Sequence, residues 1–406
     1  MYLGDDTSIK IRYWQWPKWD KESIYFLSKN TITSKIYVKS RLFYDKFVNQ
    51  LNAYDDNTYS SQTYKSSFTS YYDDYSYGAN IEGGYQFNSD NLLKFIVSFK
   101  NDVHRENNEG EPQRTVSDYT MSYGIEDVYN ITNKLKIIPG LSYNTRASIK
   151  AQEYNSSTDV VSDLPENNSS ATNAQIALFW DLNNNAKFKF TVADKTRFAT
   201  MKDRYSYKLG TALPNPDLLP ESALNFDLES NIKVGKKFSL TPSVFYSHLN
   251  NTIQMVDDVE PGISQMQNTG ESVFYGADLT LGYKLLGNLN FNLVYSYIER
   301  ENKSNPDLKF TDVPNHNIFG YLDYKLLDKL NVILSSQYSS DRYSTSYGIV
   351  SPSFNIYNLN INYQILKNFG LKAGVNNIFD KNYTISEGYP EEGRNFYISV
   401  KYNYSK

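Results

Sequence analysis

Basic and aromatic side chains alternate in the segment 197–220, which the sequence places between two predicted strands. Arg204, Tyr205, Tyr207 and Lys208 lie close together in it, and several prolines follow. Arginine and lysine suit anionic, oxygen-rich ligands, and tyrosine suits flat or catechol-like ones by stacking and hydrogen bonding. We therefore predict that these four residues contact a ligand. The alternative is that the prolines only fix the turn and the arginines pair with lipid headgroups.

Catalytic chemistry has little support in the sequence. His104, His248 and His316 fall on different predicted strands or strand ends, and the absence of Cys excludes thiolate chemistry. No pattern of a nucleophile elbow, a zinc protease, a phosphate-binding loop or a calcium loop occurs. We predict no enzyme and no catalytic residue. A hydrolase built into a barrel would need a chance meeting of Ser and His near the rim, and that alternative stays open.

Two acidic pairs, Asp55-Asp56 and Asp73-Asp74, lie in or beside the segment 54–76. A hard-cation site needs several converging oxygen ligands, whereas acidic residues in a loop commonly keep it solvated. The sequence favours the solvated loop, and we expect neither a metal site nor a cofactor.

Strands must position these residues, because long segments alternate between apolar and polar side chains. The segments 289–297, 357–365 and 395–404 each place apolar residues on one side and polar residues on the other. Alternate residues of a strand face opposite sides of a sheet. Tyrosine and phenylalanine, at 37 and 22 residues, favour strands and collect at membrane interfaces. The pattern predicts an all-β protein, a transmembrane antiparallel β-barrel.

The alternation predicts about eighteen strands. They lie near 7–15, 21–29, 33–53, 77–88, 92–106, 114–129, 133–150, 172–183, 186–196, 221–233, 236–248, 272–285, 287–300, 315–326, 328–341, 354–364, 367–379 and 391–404. Short turns alternate with long loops, which lie near 54–76, 151–171, 197–220, 249–271, 301–314, 342–353 and 380–390. Outer-membrane barrels have short periplasmic turns and longer extracellular loops, so this rhythm is a second sign of a barrel.

Bulk properties exclude several classes of protein. The 41 basic and 45 acidic residues give a formal charge of −4, which gives no argument for a nucleic-acid partner. No apolar run of about 18 residues occurs, so a transmembrane helix is excluded. The first residues lack the basic and apolar regions of a secretory signal peptide. Since an outer-membrane protein needs one, we expect that the chain lacks its natural N-terminus.

One segment carries a specific motif. Asn215, Pro216, Leu218, Pro220 and Glu221 fit the pattern Asn-Pro-x-Leu-x-Pro-Glu. This pattern resembles a signature of TonB-dependent outer-membrane receptors. The nine strands predicted after it match the number that the family places there.

Three further segments resemble motifs of the same family. Gly276-Ala277-Asp278 is similar to its Gly-x-Glu strand opening, and Val313-Pro314-Asn315-His316 is similar to its Val-Pro-x-His strand start. The segments 374–383 and 388–394 resemble its C-terminal box. The resemblance covers about 200–406, while 7–196 agrees in strand rhythm only.

The resemblance implies a barrel of about 22 strands that is plugged by an N-terminal domain. We therefore expect residues 1–406 to form one incomplete barrel, without the plug and about four strands. It also implies uptake of a scarce nutrient, most often a ferric siderophore, across the cell outer membrane. The implied partners are the outer-membrane bilayer, the ferric chelate and the TonB complex, although the segment that contacts TonB is absent.

Two other functions remain open beside the receptor and the hydrolase. A passive porin of about 16–18 strands fits the strand count alone. A soluble β-rich adhesin would be purified without detergent. Neither hypothesis explains the motifs that resemble those of TonB-dependent receptors.

For the receptor, we expect a ferric chelate rather than haem. The resemblance implies a histidine in the loop of haem receptors, and the segment 197–220 has none. Phe198-Ala199-Thr200 also departs from the Phe-Arg-Ala-Pro motif that precedes that loop. His104 and His316 could still lie near the lumen.

Overall fold

The computed structural model describes residues 12–64, 66–206, 210–386 and 390–404. One short α-helix, α1 (Met201–Tyr205), lies among strands there. In chain order the strands are β1 (Tyr13–Thr33), β2 (Ile36–Tyr54), β3 (Phe68–Gln86), β4 (Asn91–Asn108), β5 (Arg114–Thr132), β6 (Leu135–Asn155), β7 (Val160–Asp163), β8 (Asn168–Asn183), β9 (Ala186–Arg197), β10 (Ala212–Leu213), β11 (Glu221–Val234), β12 (Phe238–Asn250), β13 (Ile253–Glu260), β14 (Ile263–Asn268), β15 (Ser272–Leu286), β16 (Leu289–Asn302), β17 (His316–Leu327), β18 (Leu330–Ser339), β19 (Arg342–Tyr343), β20 (Val350–Ser351), β21 (Phe354–Leu366), β22 (Phe369–Asn376) and β23 (Asn395–Tyr402).

Eighteen of these strands form one sheet. Seventeen long strands follow one another as an antiparallel ladder, and β7 adds a short hairpin to β6. The ladder continues from β9 to β23. Within the described residues β1 pairs only with β2, and β23 pairs only with β22. Among the described residues, β1 and β23 therefore each have one unpaired edge, and the incomplete barrel stays a prediction.

The register gives the sheet one apolar face and one polar face. Ile361 has Val332 and Ala373 as ladder partners, while the next residue, Asn362, pairs with Lys372. Partners across an antiparallel ladder lie on the same face. The apolar face is also the exposed one, as Phe396 shows with 73% of its surface exposed. One apolar and one polar face are what the wall of a membrane barrel presents to lipid and to its lumen.

Short and long connections alternate as predicted. The short turns have two to four residues, and the connections at the opposite end have five to 23. We call these the turn end and the loop end of the sheet. In outer-membrane barrels the short turns are periplasmic and the long loops are extracellular.

The prediction of two strands at 7–15 and 21–29 is wrong for the described part. β1 runs through Pro17 without a break, and residues before 12 lie outside the described residues. The ladder shifts its register between Gln15 and Lys18. A bulge accepts a proline, because its amide is not needed in the ladder there. The strand therefore continues through the proline.

The predicted loop 54–76 is also too long. β3 begins at Phe68, so Asp73 and Asp74 lie in a strand. Asp73 accepts a hydrogen bond from Arg105 at 2.7 Å, and Asp74 bonds to the His104 ring at 2.8 Å. These cross-strand partners on β4 compensate charges that in isolation predict a loop.

The long loops carry their own structure at the loop end. β13 and β14 form a hairpin within 249–271, β19 pairs with β20 within 342–353, and β10 joins β14 in parallel. Two small clusters of buried apolar residues lie there and hold the loops together. No helix among the described residues is long and apolar enough to span a bilayer.

Candidate functional site

The segment 198–220, here called the motif loop, begins with a well-capped turn of helix. The Thr200 hydroxyl accepts a hydrogen bond from the Asp203 amide at 3.1 Å, and the Asp203 carboxylate accepts one from the Thr200 amide at 2.9 Å. This reciprocal capping satisfies two amides that a helix start leaves free. Arg197 also binds Asp203, at 2.8 Å. The sequence Thr-x-x-Asp therefore explains why α1 begins here.

Arg204 turns from α1 into the wall of the sheet and has no exposed surface. Its guanidinium donates hydrogen bonds to the carboxylate of Asp118 on β5, to the Ser148 hydroxyl on β6 at 2.8 Å and to the Ala199 carbonyl at 3.2 Å. A buried cation is tolerated where it is paired and its donors are bonded. Arg204 therefore fastens the motif loop to two strands of the ladder.

A second buried arginine, Arg146 on β6, extends this network. It lies 3.6 Å from the Asp118 carboxylate and donates to the Ala199 carbonyl at 2.9 Å. It also donates to the Asn167 side chain. The two cations share one carboxylate, and carbonyl and hydroxyl oxygens accept further hydrogen bonds from both. The Nε of Arg146 is buried and has no hydrogen-bond partner among the described residues.

Asn167 links this network to the Asn-Pro-x-Leu-x-Pro-Glu motif. Its side-chain amide donates to the carbonyls of Pro216, at 2.8 Å, and Leu218, at 3.3 Å. Because the same side chain accepts from Arg146, it joins β6 to the far end of the motif loop.

Apolar packing supports both ends of the motif loop. Tyr205 is 6% exposed and packs with Val116 and Ala151, with Leu164 and Met201 at the margin. Its hydroxyl donates to the Pro165 carbonyl at 3.1 Å. This contact buries the aromatic ring while its polar end stays bonded.

Leu218 forms the second contact and is 1% exposed. It packs with Ala199 and Ile253, and Met266 of β14 lies against them. The cluster therefore joins the two ends of the motif loop to the hairpin of β13 and β14.

The remaining motif residues form hydrogen bonds to that hairpin. The side-chain amide of Asn215 donates to the Met266 carbonyl at 2.9 Å. The backbone amide of Asn215 donates to the Arg204 carbonyl at 2.7 Å. The Glu221 carboxylate accepts from the Ile253 amide at 2.8 Å. In this chain the family motif therefore holds the motif loop on its neighbours.

The structure separates the four predicted ligand contacts. Arg204 and Tyr205 are buried and bind protein groups, so in this conformation they fix the shape of the loop. Tyr207 and Lys208 lie outside the described residues. Ligand contact by these four residues stays a prediction.

Asp118, Arg146 and Asn167 were missed by the sequence reasoning. They lie on β5, on β6 and just before β8, and nothing in their local sequence indicates a link to Arg204. Only the register of the ladder brings them together.

The histidines do not form one site. They lie on β4, β12 and β17, which are not adjacent in the ladder. His104 lies between Asp74, at 2.8 Å, and Glu106, at 3.4 Å, and the His316 ring bonds to the Tyr295 hydroxyl at 2.9 Å. Among the described residues, no group of three or more His, Cys, Asp or Glu side chains could hold a metal ion.

Curated relatives match about half of this chain. An iron-regulated outer membrane virulence protein of Vibrio cholerae serotype O1 is 24% identical over 210 residues, which are 47% of this chain and 32% of that protein. A probable TonB-dependent siderophore receptor, PiuA of Acinetobacter baumannii, is 26% identical over 212 residues, or 46% and 27%. The matched segment thus corresponds to about a third of these relatives' length.

Solved structures match nearly the whole chain. The copper transporter OprC matches with a TM-score of 0.83 at 16% identity. The match covers 96% of this chain and 66% of the OprC chain. The siderophore receptor PiuA from Acinetobacter baumannii has a TM-score of 0.73 at 17% identity, covering 95% and 64%. The chain spans about two thirds of these proteins. At such identities the likeness shows the fold alone.

The family comparison covers most of the chain. The family described as TonB dependent receptor-like, beta-barrel matches residues 4–378. The relatives are receptors and transporters rather than enzymes, which decides against the hydrolase. The chain therefore belongs to the family of TonB-dependent receptor-like β-barrels, which lie in the outer membrane.

Proposed function

We infer that this chain forms the barrel wall of a receptor that imports a ferric siderophore across the outer membrane. The observation that carries this proposal is the family match over residues 4–378 together with relatives named as siderophore or iron-regulated proteins. The lumen-facing polar side of the ladder and the structured loops supply part of the ligand site. Energy comes from the TonB complex, which the family implies.

Buried contacts attach the described parts of the motif loop firmly to the sheet and to a neighbouring hairpin. Arg204, Tyr205 and Leu218 hold it on β5, β6 and the β13–β14 hairpin. Side chains on a loop that is fixed in advance contact a ligand without a large ordering cost. We propose Tyr207 and Lys208 as ligand contacts, and Arg204 and Tyr205 as the residues that position them.

Haem and copper are the competing ligands. Haem is disfavoured because the segment 197–220 has no histidine, and imidazole is a good ligand for iron. The likeness to the copper transporter OprC is a likeness of fold, at 16% identity. The described residues offer no cluster of metal-binding side chains that would favour copper.

Direct binding tests this proposal. The product of the whole gene, purified in detergent micelles, is titrated with ferric catecholate, ferric hydroxamate, haem and copper. We expect one ferric chelate to bind, and Tyr207→Ala with Lys208→Ala to weaken it. Lys202→Ala, on the exposed side of α1, is the control. Haem binding that is lost on changing one of the three histidines would replace the siderophore by haem.

A further inference from the structure

Three adjoining hollows run along the polar face of the sheet at its turn end. They have volumes of about 630, 350 and 600 Å³. The first and second share Lys233, and the second and third share Asn290 and Asp323. They therefore form one continuous depression from β5 to β23, which we call the lysine trough.

Lysine dominates the charge of this trough. Four acidic residues line it, Asp181, Glu229, Asp323 and Asp328, against twelve lysines: Lys134, Lys136, Lys187, Lys189, Lys233, Lys236, Lys237, Lys284, Lys325, Lys329, Lys372 and Lys401. The excess is eight positive charges, although the whole chain has a net charge of −4. The trough is therefore a local concentration of one sign, opposite to that of the chain.

Most of these lysines have no acidic partner among the described residues. Lys187 lies 3.0 Å from Asp181, and Lys325 lies 3.2 Å from Asp328. The other ten lysines have no carboxylate oxygen within 4.0 Å among the residues that the structure describes. The ammonium of Lys136 lies over the Phe179 ring at 4.5 Å, which leaves its charge available.

The strand register places the eight lysines that lie in strands on the polar face, while Lys134, Lys236, Lys237 and Lys329 lie in the adjoining turns. Lys189 pairs with Glu229 across the ladder, on the polar face, whereas its neighbours Phe188 and Phe190 occupy the apolar face. Lys372 likewise pairs with Asn362 and Ser399. The trough is thus part of the inner wall and not of the lipid-facing surface.

We propose that the lysine trough binds small polyanions on the exit side of the lumen. Rings of Lys or Arg line pores that pass anions, and a charged cleft raises the local concentration of its counter-ion. The hollows have the size of small-molecule sites, about 300–1,000 Å³. This proposal goes beyond the proposed function. It rests on that function because it takes the imported chelate to cross this half of the lumen as an anion.

The residue type supports passage rather than tight capture. Lysine is a flexible point charge, whereas arginine holds carboxylate and phosphate in a fixed bidentate geometry. No arginine lines the trough. Binding at many weak positions lets an ion enter and leave, so the wall favours anions without trapping them.

The test uses pyrenetetrasulfonate, a fluorescent dye with four negative charges, and this chain in neutral detergent micelles. The trough variant changes Lys189, Lys233 and Lys284 to Gln. The control variant changes the exposed Lys35, Lys202 and Lys381 to Gln, which removes the same charge elsewhere. We expect the trough variant to bind the dye about tenfold more weakly, since three nearby charges are lost, and the control to bind unchanged.

Two results would overturn the inference: an equal loss in both variants, or no dye binding below millimolar concentration by the unchanged chain. Binding of the ferric chelate to the whole gene product is measured in parallel. If the chelate binds and the dye does not, the trough proposal fails while the proposed function stands. If the dye binds and no chelate does, the proposed function fails and only the trough stands.

Discussion

The guanidinium of Arg204 donates a hydrogen bond to the carboxylate of Asp118, although 86 residues separate the two along the chain. Both side chains are buried, with Arg204 at 0% and Asp118 at 5% exposure. A loop whose attachment is a desolvated ion pair opens only by exposing two charges at once. This pair therefore fixes α1, at the start of the motif loop, on the sheet.

Replacing Arg204 by Ala should release the motif loop from the sheet. The change leaves the Asp118 carboxylate buried with one cationic partner fewer, which costs about 3–5 kcal/mol. We expect the amides of 199–206 to exchange with solvent much faster, as measured by hydrogen–deuterium exchange in micelles.

Arg197→Ala, at the end of β9 next to the motif loop, is the matched control. Its ion pair with Asp203 is 2.8 Å long, but the Arg197 side chain is 43% exposed, and exposed pairs contribute about 0–1 kcal/mol. Similar exchange in both variants would show that the Arg204 pair does not hold the loop.

Replacing Leu218 by Ala should loosen the other end of the motif loop. Leu218 is 1% exposed and packs with Ala199 and Ile253, so its truncation leaves a cavity and costs about 2–5 kcal/mol. The adjacent Leu219 is 54% exposed, and Leu219→Ala should change little. Proteolysis of the loop in micelles measures the difference. Equal cleavage of both variants would contradict the assigned packing.

The alternation of side chains predicted the ladder because each strand has one face in lipid and one in water. That alternation can be recognised within each short segment of the sequence, so the strands are predicted even where their ends are misplaced. It failed at Pro17, where a bulge absorbs the proline, and at Asp73 and Asp74, where Arg105 and His104 on β4 provide the partners. In both cases the compensating group lies on another strand.

The candidate site was less predictable for the same reason. A run of Arg and Tyr in a loop has the same appearance in sequence whether it contacts a ligand or the protein. Arg204 binds the protein because Asp118 accepts its hydrogen bond. The position of Asp118 opposite the loop follows from the register of β5, β6 and β8. The hairpins inside the loops were missed because short strands without a lipid face lack a long alternation.

The two faces of β16 offer a direct test of membrane orientation. Leu293 pairs with Leu281 and Gly320, while Asn292 pairs with Gly282 and Tyr321 and lines the lysine trough. Leu293→Arg should destabilise the folded chain by about 2–4 kcal/mol if the residue lies at the bilayer midplane. Asn292→Arg places its charge in water and should have little effect. Equal destabilisation of both variants on refolding into lipid vesicles would refute the face assignment.

The loop 55–67 should depend on the charge of Asp55. Its carboxylate accepts hydrogen bonds from the amides of Thr63, at 2.8 Å, and Tyr64, at 2.9 Å. Partial desolvation raises the pKa of Asp55, but the hydrogen bonds from Tyr64 and Thr63 outweigh it, so the pKa lies well below its usual range. The charged form therefore holds the loop closed.

The sign of the pH effect follows from this lowered pKa. The stabilisation is fully present above the unfolded-state pKa of about 3.9 and is lost as the pH falls through the folded-state value. We expect constant protection of the Thr63 and Tyr64 amides between about pH 5 and 8, and loss of protection in strong acid. Asp55→Asn should remove the protection throughout, because an amide offers these donors one acceptor oxygen instead of two. Asp56→Asn is the control, since Asp56 accepts from Thr58 instead. Protection that persists in Asp55→Asn would show that other contacts hold this loop.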